Sequence, residues 1–153
     1  MRYTLLVAIL LAAVSLPAQA RADADGTIGV VRNSAGSATV TRGGNVLPAT
    51  TGTRLHAGDT LCTGPDGSLG VILRDDSSLS LGPSSILVLR DFLFSPSEGK
   101  LGLLVRLSKG TMAYLTGLIG KLAPEKARFE TPTATIGIRG TRFAVVAGEP
   151  VSQ

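Results

Sequence analysis

Turn-forming residues interrupt this chain so often that no long regular element fits between them. Gly64-Pro65-Asp66-Gly67 stops one apolar run, Asp75-Asp76-Ser77 the next, and Gly82-Pro83-Ser84 the one after. Glycine tolerates positive φ, proline presets φ, and aspartate and serine bond their own backbone, so each cluster predicts a reversal. Between the clusters side chains alternate. Leu69, Val71 and Leu73 share one face of an extended segment, while Gly70, Ile72 and Arg74 share the other. Leu79 and Leu81 likewise alternate with Ser78 and Ser80. A period of two marks a half-buried strand. Beyond residue 20 no 3.6-residue apolar stripe persists over ten residues. The pattern predicts an all-β single domain of many short strands: a roll, a short β-solenoid or a sandwich-like fold.

Other segments extend the pattern. Thr27–Arg32 and Ser37–Arg42 flank Asn33-Ser34-Ala35-Gly36, which predicts a hairpin, and Gly43-Gly44-Asn45 predicts a second tight turn. Strands are expected at Thr60–Thr63, Ile86–Phe94 and Leu101–Ser108, with another running from Gly110 to Leu115. Thr116–Ala123 stays open, because Gly117 and Gly120 weaken a helix there. Ala127–Glu130, Thr133–Ile138 and Thr141–Ala147 complete the set.

The first residues indicate a compartment. Basic Met1-Arg2-Tyr3 precedes an apolar run from Leu5 to Leu16, then Pro17-Ala18-Gln19-Ala20. This order is that of a secretory signal peptide cut after Ala20. The run falls short of the ~18–20 residues that span a bilayer, and no cysteine follows the cut to carry a lipid. The expected organisation is a signal peptide at 1–20, a linker at 21–26, a β domain at 27–147 and a tail at 148–153. The product is expected in the periplasm or outside the cell.

Charge and reactive residues exclude several functions. Of 15 Lys and Arg, removing Arg2 leaves 14 against 11 Asp and Glu. The Lys and Arg are spread from Arg21 to Arg142 and aromatics are only 4% of the chain, unlike a nucleic-acid binder's clustered, ring-interleaved patch. We read them as solvated strand faces. Cys62 is the only cysteine, so no intramolecular disulfide can form. His56 is the only histidine and lacks partners for a metal site or a Ser-His pair. Asp75-Asp76 has no calcium-loop spacing and reads as a solvated turn. No nucleophile elbow, P-loop or dinucleotide fingerprint occurs, and nothing places Asp91 and Glu98 in one cleft. The expectation is a non-enzymatic protein with no catalytic residue, cofactor or metal.

Four spaced elements carry a resemblance. Gly58-Asp59-Thr60-Leu61-Cys62-Thr63-Gly64 is the first and Leu79-Ser80-Leu81-Gly82-Pro83-Ser84-Ser85 the second. Lys109-Gly110-Thr111 with Leu115-Thr116-Gly117 is the third. The fourth is Thr131-Pro132-Thr133-Ala134-Thr135-Ile136-Gly137-Ile138-Arg139-Gly140-Thr141-Arg142-Phe143. In this order they resemble the FecR-type periplasmic domain over roughly residues 27–147. The resemblance implies an all-β roll or short solenoid that binds or signals in the bacterial envelope, relaying a signal from an outer-membrane receptor. It implies family-motif roles, expected to be structural, for Gly58, Asp59, Thr63, Gly64, Gly82, Pro83, Thr131, Pro132, Gly137, Arg139, Gly140, Thr141 and Phe143.

Each of these residues has a local expectation as well. Gly137 and Gly140 should permit a bulge or a tight turn. Arg139 should tie its loop down by donating to carbonyls, and Asp59 should cap a turn through its own backbone. The chain departs from the family pattern by lacking the anti-sigma and transmembrane parts. It also stops soon after Phe143, and has Arg142 where relatives often carry Asp. A stand-alone module is expected, contacting an envelope protein or a second copy of itself through a sheet edge near Thr141–Ala147. The alternative is a scaffold that binds peptidoglycan or another glycan.

Overall fold

β-Branched and leucine-rich segments at period two build strands, and glycine-rich turns set where they end. The computed structural model describes residues 26–148. The signal-peptide segment, most of the linker and most of the tail lie outside them. Twelve strands occur among the described residues: β1 (Thr27–Ala35), β2 (Ala38–Arg42), β3 (Asn45–Pro48), β4 (Arg54–His56), β5 (Thr60–Thr63), β6 (Ser68–Leu73), β7 (Ser78–Leu81), β8 (Ile86–Ser95), β9 (Lys100–Leu115), β10 (Ala127–Glu130), β11 (Thr135–Gly137) and β12 (Arg142–Ala147). One short helix, α1 (Leu118–Leu122), lies between β9 and β10. The fold is all-β, as the period-two pattern predicts.

Strand β9 organises the molecule. Its first half lies between β8 and β10, and its second half between β7 and β12. One leaf therefore reads β3-β2-β5-β8-β9-β10-β11 and the other β4-β1-β6-β7-β9-β12, a single sheet curled into a half-barrel or roll. All pairings are antiparallel except β9 with β10, which α1 helps to connect. The inward face switches parity along β9. Leu103, Val105 and Leu107 are buried before Gly110, and Met112 and Tyr114 after it. Gly110 has φ +94, and a Cβ there would collide with Ser85. A single glycine thus turns the strand so that both halves face one core, which also holds Leu61, Leu73, Leu79, Leu87 and Phe129. Glycine at 110 reads in sequence as a break between two strands, Leu101–Ser108 and Gly110–Leu115. The chain bends there without leaving the ladder.

One further expectation is corrected and one open segment takes a definite form. The turn after Ala35 does not make a hairpin, because β1 pairs with β4 and β6 while β2 pairs with β3 and β5. Gly36 and Ser37 instead pack on the Gly64–Gly67 turn, where the Gly64 amide donates to the Ser37 carbonyl at 2.8 Å. The two turns together hand the chain from leaf to leaf. The open segment after Thr116 forms α1 despite its glycines, because both meet neighbours where a Cβ would not fit. Gly117 lies on the Asp75 carbonyl and the Ser77 amide, and Gly120 lies on Thr116. The Gly43-Gly44 reversal is a two-residue hairpin, with φ +54 and +82 and Arg42 paired to Asn45.

Candidate functional site

The motif residues fall into two regions with different chemistry. The first is a packed junction. Asp59 is fully buried and accepts from Arg42 Nε at 2.8 Å, Arg42 Nη2 at 2.7 Å and the His56 amide at 2.8 Å. Its carboxylate therefore caps the turn opened by Gly58 and also clamps β2 to β5. Burial pushes the Asp59 carboxyl up, but the Arg42 guanidinium and the His56 amide outweigh it and hold the group below the usual carboxylate range. Arg42 is thus no solvated strand charge: it binds Asp59 and the Arg54 carbonyl.

Thr63 Oγ1 donates to the Gly82 carbonyl at 2.7 Å and accepts the Ser85 amide at 2.9 Å. Ser85 Oγ in turn accepts the Thr111 amide at 2.9 Å and donates to the Pro83 carbonyl at 3.1 Å. The Gly64 carbonyl receives the Ser84 amide, and a Cβ on Gly82 would run into Thr111 Oγ1. Three motif elements distant in sequence thus meet at the β9 bend. Every residue there has a packing or hydrogen-bonding use.

A second buried polar knot lies beyond the bend, at the C-terminal end of β9. The Asp75 carboxylate accepts from the Ser77 amide and hydroxyl at 3.1 and 2.6 Å and from the Ile119 amide at 3.2 Å. Ser77 Oγ also lies 3.0 Å from the Tyr114 hydroxyl. Asp75 is fully buried, which corrects its reading as a solvated residue; Asp76 alone faces water, at φ +65. Burial raises the Tyr114 pKa, and the Asp75 charge adds to the rise. Among the described residues no group of three or more His, Cys, Asp or Glu converges to hold a metal.

The second region is the signature segment, and it behaves differently. Thr131 closes a tight turn with Ala134, its amide donating to the Ala134 carbonyl at 2.8 Å and its Oγ1 accepting the Ala134 amide at 3.1 Å; Pro132 is exposed at the tip. Ile138 is buried against Gly120, and Phe143 contacts Tyr114 and Phe129 at centroid distances of 5.4 and 4.8 Å. Thr116 grips the loop between them, its amide reaching the Thr141 carbonyl at 2.8 Å and its Oγ1 the Gly140 carbonyl at 3.2 Å.

The residues held between these anchors face water. Arg139 is exposed and donates to no carbonyl among the described residues, which runs against its expected role as a loop tie. Gly137 pairs in register with Arg128, has no positive φ and would meet no atom if it carried a Cβ, so it permits neither bulge nor turn. Gly140 does need its conformation, at φ +106, although the space around it is open.

The signature loop leads into β12, which has one neighbour among the described residues, β9. Among the described residues three other edge strands are short: β3 ends at Pro48, and β4 and β11 have three residues each. The outer part of β8 beyond β5, residues 90–95, also has β9 alone beside it, but it carries Arg90 and Asp91 and begins at a register shift between Leu89 and Asp91. β12 runs for six residues, with no proline and with Arg142 as its only charge. It is apolar on both faces. Phe143, Val145 and Ala147 turn towards the core, and Ala144 and Val146 turn outwards. On the outer face Ala144 pairs with Ala113, and Ala113 with Ser80. This row of small side chains floors a shallow groove of about 340 Å³. The sequence reading located the edge but missed the groove, whose signal is the unbroken apolar run from Phe143 to Ala147 in a strand with one partner.

These features define an all-β domain whose most distinctive exposed elements are an anchored loop and an open strand. A family model described as FecR protein matches residues 59–152, more than half of the chain. The chain belongs to the FecR family, which is associated with signalling in the bacterial envelope. No curated protein and no solved structure matches it. No helix of the described residues is long and apolar enough to cross a membrane.

Proposed function

We propose that this chain is a non-enzymatic, exported protein-contact module of envelope signalling that engages its partner by strand addition at β12. The observation that carries the reading is the contrast among the sheet edges. Among the described residues β12 offers six consecutive residues open on one side, with no proline and no register shift, whereas the open part of β8 begins at a shift and carries Arg90 and Asp91. An edge like that of β12 is a template for a strand from another chain. Main-chain hydrogen bonds supply affinity in this mode, and alternate side chains supply selectivity. The anchored loop before it presents Arg139, β12 itself opens with the exposed Arg142, and arginine is enriched at protein interfaces. The glycan-scaffold alternative has less support. Sugar-binding faces use exposed rings, whereas Tyr114 and Phe129 are buried and Phe92, Phe94 and Phe143 half-buried.

Cross-linking in cells tests the proposal. A photoreactive residue at Val145 should capture a defined protein, while one in the Gly43-Gly44 turn should not. Equal labelling at the two sites, or tight binding of the purified chain to peptidoglycan with no protein adduct at Val145, would move the reading to the glycan scaffold.

A further inference from the structure

The strand that fits β12 is described by β12 itself. We infer that the edge is occupied at rest by β12 of a second copy, in an antiparallel pair centred on Val145, and that a signalling partner must displace that copy. The inference rests on β12 being the contact strand. Antiparallel self-pairing creates a two-fold axis, and a two-fold interface requires a surface complementary to itself. β12 meets that requirement in one register. With Val145 opposite its counterpart, Val146 of each copy faces Ala144 of the other, and Phe143 faces Ala147.

Val146 is the most exposed large apolar residue on the described surface, at 76%. Ala144 heads the row of small residues, Ala144, Ala113 and Ser80, that floors the groove. A protruding valine therefore meets a hollow, twice. Directly opposed side chains in an antiparallel pair lie ~4.5–5.5 Å apart at Cβ, which is contact distance for this pair. Centring on Ala144 instead sets two alanines face to face and leaves both valines against Arg142. Moving the centre to Val146 opposes two valines and leaves the hollows empty.

Charge agrees with the same register. Arg142 is the strand's only charged residue. In the Val145-centred pair the two arginines are six residues apart along the ladder, about 20 Å at ~3.3 Å per residue. That exceeds the ~8 Å screening length at physiological salt. The contact is also small. One six-residue edge buries much less than the ~1,600 Å² of a standard stable interface, so the pair is exchangeable, as a displaceable resting contact needs to be.

Sedimentation of the purified chain should show monomer and dimer exchanging with concentration. Val146→Asp should weaken the dimer at least about tenfold by burying an unpaired charge. Val46→Asp should leave it intact, because Val46 is a comparably exposed valine (64%) on the β3 edge. In a Cys62→Ser background, Val145→Cys should form an intermolecular disulfide across the axis, whereas Ala144→Cys should not. A single-chain mass up to millimolar concentration overturns the inference. So does a dimer that survives Val146→Asp but not Val46→Asp, or a self-disulfide from Ala144→Cys alone. Circular dichroism of each variant separates lost pairing from lost folding, and the Val145→Cys trap stands apart from the charge variants. Self-association requires no other protein. A monomer whose Val145 still captures another envelope protein therefore sinks only this inference, and a dimer that captures none sinks the partner reading.

Discussion

The junction around Thr63 and Ser85 and the loop around Arg139 are built from the same residue types, yet only the first uses them internally. At the junction, Thr63, Gly82, Ser85, Gly110 and Thr111 close a hydrogen-bonded knot in which an added Cβ has no room. In the loop, Ile138 and the Thr116 contacts hold the chain, while a Cβ on Gly137 would meet no atom and Arg139 is exposed. Glycine that packing requires is a statement about the fold. An exposed arginine and a glycine that packing does not require point to what the surface meets.

The strongest test of that division is Gly110→Val. The new side chain would enter Ser85 from a backbone at φ +94. Clash and strain act together, so a loss of about 4 kcal/mol or more is expected in urea unfolding. An unchanged midpoint would mean that the β9 bend does not depend on this glycine, and the junction would lose its role as the pivot of the sheet.

Next in size is Arg42→Ala, which leaves the buried Asp59 carboxylate without its guanidinium. Breaking a fully buried pair costs ~3–5 kcal/mol. Arg42 is 37% exposed, so water screens part of the charge and about 2 kcal/mol is expected at pH 7. The pH dependence follows in sign. The folded Asp59 pKa lies below its unfolded value of ~3.9, so its stabilisation is present above that value and lost as pH falls through the folded pKa. Without Arg42, burial still raises the pKa and one strong opposing influence is gone. The gap between wild type and variant should therefore narrow from pH 7 to pH 3. A gap that is constant with pH would assign Arg42 a packing role only.

What could be read in advance follows the range of each interaction. Period-two alternation gave strands β6 and β7 because burial on one face is a local property of neighbouring side chains. The Gly43-Gly44 hairpin was legible for the same reason, since two positive φ angles suffice for it. Turn chemistry at Asn33–Gly36 announced a reversal but could not say that the following strand joins the other leaf. That choice depends on Gly36 and Ser37 meeting the turn at Gly64–Gly67, nearly thirty residues away. Asp75 was misread for a similar reason: its amide partner at Ile119 is 44 residues distant. In the signature segment, residue types suggested constraint, but exposure decides between constraint and contact, and exposure is not local.

Gly140→Val asks how far the loop shares the junction's character. Its φ of +106 is costly for a β-branched residue, but no atom lies near the added side chain. Backbone strain alone predicts about 1–2 kcal/mol. A loss as large as that of Gly110→Val would place the loop with the packed regions.

The smallest stability effect is expected at Arg139 and Gly137, and it sharpens the comparison most. Neither Arg139→Ala nor Gly137→Ala removes an internal contact, and the alanine methyl at 137 enters open space in a regular register with Arg128. Both variants should unfold within about 0.5 kcal/mol of wild type, as surface substitutions do. If the loop is a contact surface, the same variants should reduce capture of a protein by the photoreactive residue at Val145. Gly110→Val, by contrast, should reduce capture only to the extent that it unfolds the domain. Loss of more than 1 kcal/mol at Arg139, or full capture by both variants, would remove the loop from the binding surface and leave β12 to act alone.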